Sequence, residues 1–313
     1  MISSYPVTTN NALPLELDHQ ATTPCDKEVL ASMEPYWDKY SGNASSRQNK
    51  SGITASAAVS LAREQLASFL KVHPSEMVFT SGATESNNLA LIGHARAIAK
   101  KNGKPGHLIT LETEHHAVLD PLRQLINEGF RLTEIRPKSD GILTTSQLMM
   151  AFEDDTFMVS IMTANNEIGV IQPIKEMANI CKERGITFHS DAAQAFGHIE
   201  LEPFKTGLDL TSINAHKLYG PKGIGALLIK PNTRIMPLQW GGGQEQGIRP
   251  GTLPVPLIVG FAKAAEIAMR DLSYRQGRIK VLRDELLKGL LERIPKLLIN
   301  GSLEHRLPQN LNI

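Results

Sequence analysis

Short apolar or β-branched runs alternate with stretches of helical period over most of the chain. The runs at 77–80, 107–111, 157–163, 187–190, 210–214 and 226–230 read as strands. Between them, 55–70, 85–101, 119–128 and 174–184 repeat apolar residues at helical spacing. This alternation predicts an α/β fold, a mostly parallel sheet flanked by helices. Ligands bind such sheets beyond the carboxyl ends of the strands, so polar motifs that follow strands become candidates for chemistry. From 258 to 293 the apolar residues return at helical spacing without an intervening strand, predicting one long or slightly broken amphipathic helix. After it, 296–300 and 309–313 read as the first strands of a second domain. The expected organisation is an N-terminal arm over 1–14 and a large domain over 15–260. A connecting helix and an incomplete small domain follow over 261–313.

Composition narrows the picture modestly. A length of 313 residues with 41% hydrophobic content supports one large core plus a smaller unit. With 33 basic against 32 acidic residues, nothing points to a nucleic-acid or membrane-surface partner. No run is long and apolar enough to suggest a membrane span, and the polar N-terminus does not read as a secretory signal. Two cysteines, Cys25 and Cys181, lie far apart without metal-ligand spacing, a pattern suited to a reducing, cytoplasmic setting. The ten histidines form no metal-binding motif, so no metal is expected.

Five motifs follow predicted strands. Asn214-Ala215-His216-Lys217 precedes a Gly-Pro-rich turn and can present the Lys217 amine in a protected pocket, where burial favours a Schiff-base lysine. Asp191 ends the strand at 187–190. It can pair with the pyridine nitrogen of pyridoxal 5′-phosphate (PLP), or serve only as a helix cap. Gln194, three residues on, can reach the phenolic oxygen of the same cofactor. Thr80-Ser81-Gly82-Ala83-Thr84-Glu85 opens a helix and suits a phosphate, although an ordinary helix start has the same look. His115 can stack on the cofactor ring, with His116 competing for that role. Asn166 can hydrogen-bond the ring oxygen.

The combined pattern resembles the cysteine desulfurases, class V aminotransferase-like enzymes of PLP fold type I. It is carried by Asp18, Ala21-Thr22-Thr23-Pro24, Gly42-Asn43-Ala44-Ser45-Ser46 and Ser81-Gly82-Ala83-Thr84-Glu85-Ser86-Asn87-Asn88. Glu114-His115, Asn165-Asn166-Glu167-Ile168-Gly169, Asp191-Ala192-Ala193-Gln194, His216-Lys217 and Arg249-Pro250-Gly251-Thr252 continue it. The resemblance implies that Lys217 holds PLP, Asp191 faces the pyridinium nitrogen, and His115 stacks and handles protons. Ala83, Thr84 and His216 are implied around the phosphate, Asn166 and Gln194 at the ring oxygen. Asn214 stands where the family usually has a phosphate-binding serine, and Asn49 where a histidine is common. Thr252 matches a threonine lent to the phosphate by a partner subunit, which implies a homodimer.

The implied reaction converts L-cysteine to L-alanine and passes the sulfur, through an enzyme persulfide, to an acceptor or iron–sulfur scaffold protein. The persulfide cysteine and the arginine for the substrate carboxylate belong to a C-terminal region that has no counterpart here. Cys25 and Cys181 are the only thiols that can stand in. Two alternatives remain: a related PLP lyase of the selenocysteine lyase or kynureninase type, and a catalytically silent PLP-binding or dimerising protein.

Overall fold

The computed structural model describes residues 16–313, so the expected arm over 1–14 lies outside the described residues. Seven strands build one sheet: β1 (Met77–Thr80), β2 (His107–Leu111), β3 (Arg131–Ile135), β4 (Thr156–Ser160), β5 (Thr187–Asp191), β6 (Leu210–Asn214) and β7 (Gly225–Ile229). Their order is β1-β7-β6-β5-β4-β2-β3, parallel except that β7 runs against both neighbours. The helices are α1 (Lys27–Met33), α2 (Lys50–Leu70), α3 (Ala83–Asn102), α4 (His116–Ile126), α5 (Thr145–Ala151), α6 (Ile174–Glu183), α7 (Pro203–Thr206), α8 (Val255–Arg270) and α9 (Leu272–Arg293).

Both faces of the sheet are covered, which is why its central strands read as near-continuous apolar runs. Val78, Leu108, Met158 and Leu227 pack with residues of α3 and α4 on one face. On the other, Met77, Phe79 and Leu228 pack with α2 and α8, while Ile109 and Val159 pack with α6. The alternation of neighbouring residues between the two sets is the two-residue period of a strand.

The six expected strands are present, with β4 ending earlier than the apolar run 157–163 suggests. Strand β3 escapes the pattern because it is a half-exposed edge strand bearing Arg131 and Glu134. Helix α2 begins at Lys50 because the Asn49 side chain caps it, accepting from Gly52 N at 2.7 Å. The long helix is broken at Asp271, whose backbone leaves the helical region and separates α8 from α9.

The strands expected at 296–300 and 309–313 do not form. Asn300 N donates to Asn312 O at 3.1 Å, but neither segment acquires a ladder. They dock on the sheet domain instead: Ile171 N donates to His305 O, and Leu307 N donates to Gly169 O. The buried Arg306 holds this loop together by donating to the Ser302 carbonyl and to Asn310 Oδ1. Two extended segments with one shared backbone hydrogen bond lack the cooperative pairing a sheet needs.

Candidate cofactor site

Because β7 alone is reversed, the carboxyl ends of β1, β2, β4, β5 and β6 open on one edge of the sheet, beside the start of β7. A cavity of about 410 Å³ sits there. Its wall includes Ala83, Thr84, His115, Asn166, Asp191, Gln194, Asn214, His216 and Lys217. Every candidate from the sequence is therefore in one place except Thr252, which is exposed on its own chain and outside this lining.

The turn carrying Lys217 is held from both sides. Thr23 N and Thr23 Oγ1 both donate to His216 O, at 3.0 and 2.8 Å, and His198 Nε2 donates to Lys217 O at 2.8 Å. Tyr219 sits in the left-handed region at φ 62°, a costly conformation for a bulky residue. Its N–H donates to Thr23 Oγ1 and its carbonyl accepts from Asp26 N. The Lys217 ammonium has no ion pair among the described residues. Burial lowers its pKa below the ordinary lysine value, against the opposing pull of Asp191, Glu167 and Asp18.

Asp191 is buried, with Oδ2 accepting from Asn87 Nδ2 at 2.7 Å and Oδ1 from Ala193 N at 2.9 Å. No helix follows Asp191 directly, so the expected helix cap does not form; Oδ1 closes a turn at Ala193 instead, and Asp191 lines the cavity. Gln194 is fixed by donating Nε2–H to Gln20 O at 2.9 Å. His115 caps α4 by accepting from Ala117 N on Nδ1 at 3.0 Å, which leaves the proton of the neutral ring on Nε2. His116 points away toward Asp120 and does not line the cavity. Asn166 Nδ2 donates to Glu167 Oε1 at 2.7 Å, while Asn165 folds the turn by accepting from Glu167 N and Ile168 N.

The phosphate-like end is built from α3. Its N-cap, Gly82, has φ +148° and offers no side-chain cap, so the first amides of a 20-residue helix face the cavity unpartnered. Gly225 lets β7 pass close by, since a Cβ there would lie 2.8 Å from the Gly82 backbone. Asn214 Oδ1 is buried without a hydrogen-bond partner. His216 is held neutral, with burial and the nearby Lys217 and Lys222 lowering its pKa to about 4.

Three supporting residues were not singled out by sequence reasoning. Asn87 steadies Asp191. Glu114, buried beneath His115, accepts from Met162 N at 2.7 Å and has its pKa pushed well above the carboxylate range by burial. Together with Asn165 Nδ2 donating to Thr113 O at 3.0 Å, it clasps the His115 turn to the Asn166 turn. Lys222, at the approach to β7, also lines the cavity. All three lie inside or beside quoted motifs, but only the fold shows what they touch.

The thiols are elsewhere. Cys25 packs against the core with a pKa raised by burial, and Cys181 is buried with its pKa pushed up to about 12. Neither lines the cavity.

The sequence profile described as aminotransferase class-V matches residues 16–313. The chain belongs to that family. Its relatives include the cysteine desulfurase IscS of Rickettsia africae, 46% identical over 310 residues that cover 98% of this chain and 75% of that protein. The cysteine desulfurase of Pongo abelii is 46% identical over 302 residues, 96% of this chain and 65% of the longer protein. Among solved structures, a NifS-like protein superimposes with a TM-score of 0.88 at 39% identity, covering 94% of this chain and 80% of that one. The class-V aminotransferase chain described here thus has the PLP fold-type I architecture, and its cysteine desulfurase homologues are PLP-dependent enzymes. It spans about two thirds to three quarters of the length of these curated relatives.

The cavity fits that cofactor. Uncapped helix amides, a hydrogen-bonded buried carboxylate and an unpaired lysine of lowered pKa match a phosphate, a pyridinium nitrogen and an aldehyde.

Proposed function

We propose that this chain forms the cofactor-binding part of a cysteine desulfurase that acts on L-cysteine, with residues 15–260 as the PLP domain. Lys217 would hold the aldehyde carbon, Asp191 the pyridine nitrogen, and Gln194 and Asn166 the ring oxygen. Ala83, Thr84, Asn214 and His216 would hold the phosphate, with Thr252 reaching it from the second subunit of a homodimer. When bound, PLP supplies an electron sink for the carbon skeleton of the amino acid.

The protein's own contribution is positional and protonic. Asp191, fixed by Asn87 and Ala193, would hold its carboxyl group at the ring nitrogen. His115 presents its Nε2 proton toward the cavity from a capped, rigid helix start. Lys217, with its lowered pKa, gives up its proton more readily than a solvated lysine and can return one during turnover. The sulfur would leave to a thiolate supplied from outside this cavity, since neither Cys25 nor Cys181 reaches it. An iron–sulfur scaffold or another sulfur acceptor in the cytoplasm is the proposed destination.

The observation that carries the reading is the convergence of five strand-end motifs on one cavity. Its test is spectroscopic and chemical. L-cysteine should shift the visible band of the PLP-loaded chain, and alanine should accumulate when an external thiol is present. A loaded chain whose band ignores saturating L-cysteine would defeat the substrate reading.

A further inference from the structure

We infer that Lys222 provides the net positive charge of the phosphate subsite and so sets how much the phosphate adds to cofactor binding. This rests on the PLP reading above. A phosphate monoester carries about 1.5–2 negative charges at neutral pH. The groups assigned to it above are all neutral: backbone amides of α3, Thr84, Asn214, and a His216 that burial holds uncharged. The charged side chains on the cavity wall are otherwise committed. Glu85 pairs with Arg249 Nε at 2.8 Å, Asp191 with Asn87, and Lys217 belongs to the ring end.

Lys222 is different. None of the ion pairs among the described residues involves it, yet its side chain lines the cavity. The register of β7 locates it. Gly225 pairs with Thr80 of β1 on one side and Asn214 of β6 on the other. The turn that brings in β7 therefore lies between the ends of those two strands, next to Gly82 and the uncapped amides of α3. The ammonium is near enough to His216 to help keep that ring neutral, and to lower the raised pKa of Cys25. An exposed cation in this place contributes modestly, by roughly fivefold in affinity.

Wild type and Lys222→Gln should be titrated with PLP and with pyridoxal, which lacks the phosphate, at low and high salt. Visible absorbance is the readout and Lys217→Ala the blank. Expected for Lys222→Gln are a roughly fivefold weaker PLP affinity, an unchanged pyridoxal affinity, and a shallower salt dependence for PLP. Lys222→Arg should restore all three. Thermal melting of the cofactor-free proteins should coincide, because Lys222 is exposed. If the PLP-to-pyridoxal affinity ratio and the salt slope do not change while wild type is coloured, the inference is overturned. A wild type that stays colourless with PLP overturns the cofactor reading itself, and this inference with it.

Discussion

Asn87 Nδ2 lies 2.7 Å from Asp191 Oδ2, joining the helix that begins the phosphate cradle to the carboxylate at the ring end. Both residues are buried, and Asn87 lies one turn into α3. The two ends of the proposed cofactor are thereby held at a fixed spacing before anything binds. Asn87→Ala leaves one oxygen of a buried carboxylate without its partner and should cost about 1–3 kcal/mol of stability. PLP affinity should fall as well, and Asn87→Asp should be worse because it places two carboxylates together. Thermal melts with and without PLP check this; equal PLP affinity in Asn87→Ala and wild type would contradict it.

Lys217 is expected to be essential for the coloured complex yet unhelpful to the apo fold. Burial lowers its pKa, so the unfolded chain binds its proton more tightly and the group opposes folding at neutral pH. Its penalty fades only as pH rises toward the ordinary lysine value. Lys217→Met should abolish the visible band with PLP while leaving the apo protein as stable as wild type or more so. Absorbance and denaturant titration read the two effects separately.

Glu114 has a folded pKa raised above its unfolded value of 4.5, so its stabilising contribution is complete below that pH and declines as pH rises through the folded pKa. Glu114→Gln keeps the acceptor for Met162 N and removes the titration. Its stability should fall less with rising pH than that of wild type. Glu114→Ala frees the clasp and should destabilise by about 1–3 kcal/mol. A stability–pH profile on all three proteins decides the matter.

Histidines act at the other end of the scale. His198 and His216 have pKa values lowered to about 4 and His189 to about 3, each chiefly by burial. Depressed histidines make stability fall as pH drops from about 6.5 toward those values, because the unfolded chain takes up the protons first. His198→Gln can still donate to the Lys217 carbonyl and should flatten that acid limb. Urea melts at stepped pH values measure the slope.

Cys25→Ser and Cys181→Ser should leave any sulfide release from L-cysteine unchanged, since neither thiol lines the cavity. A loss confined to Cys25→Ser would place that residue in sulfur transfer after all. Sulfide detection with and without added thiol distinguishes the outcomes.

Most of the site was legible because strand-end chemistry is local in sequence. Asp191, Lys217 and the Ser81–Glu85 segment each announce themselves by following an apolar run. The choice between His115 and His116 was not legible, since it turns on which ring caps α4 and which faces Asp120. The supports were hidden for a related reason. Glu114 meets Met162, and Thr23 meets His216, across long stretches of chain that only folding brings together. Strand β3 was missed because an edge strand need not be apolar on either face. At 296–300 and 309–313 the opposite error occurred: the sequence promised strands where no ladder forms.

The reversed strand β7 also bears on the order of assembly. Among the described residues, strand β1 pairs with no strand except β7, and β7 is the last of the seven to be synthesised. The turn after β1 therefore lacks its neighbouring strand until the ribosome has delivered the chain through Ile229. Such a long-range pairing closes late. A nascent chain would thus acquire its seat for the cofactor's anionic tail only near the end of synthesis of the sheet, whatever the earlier strands have already built.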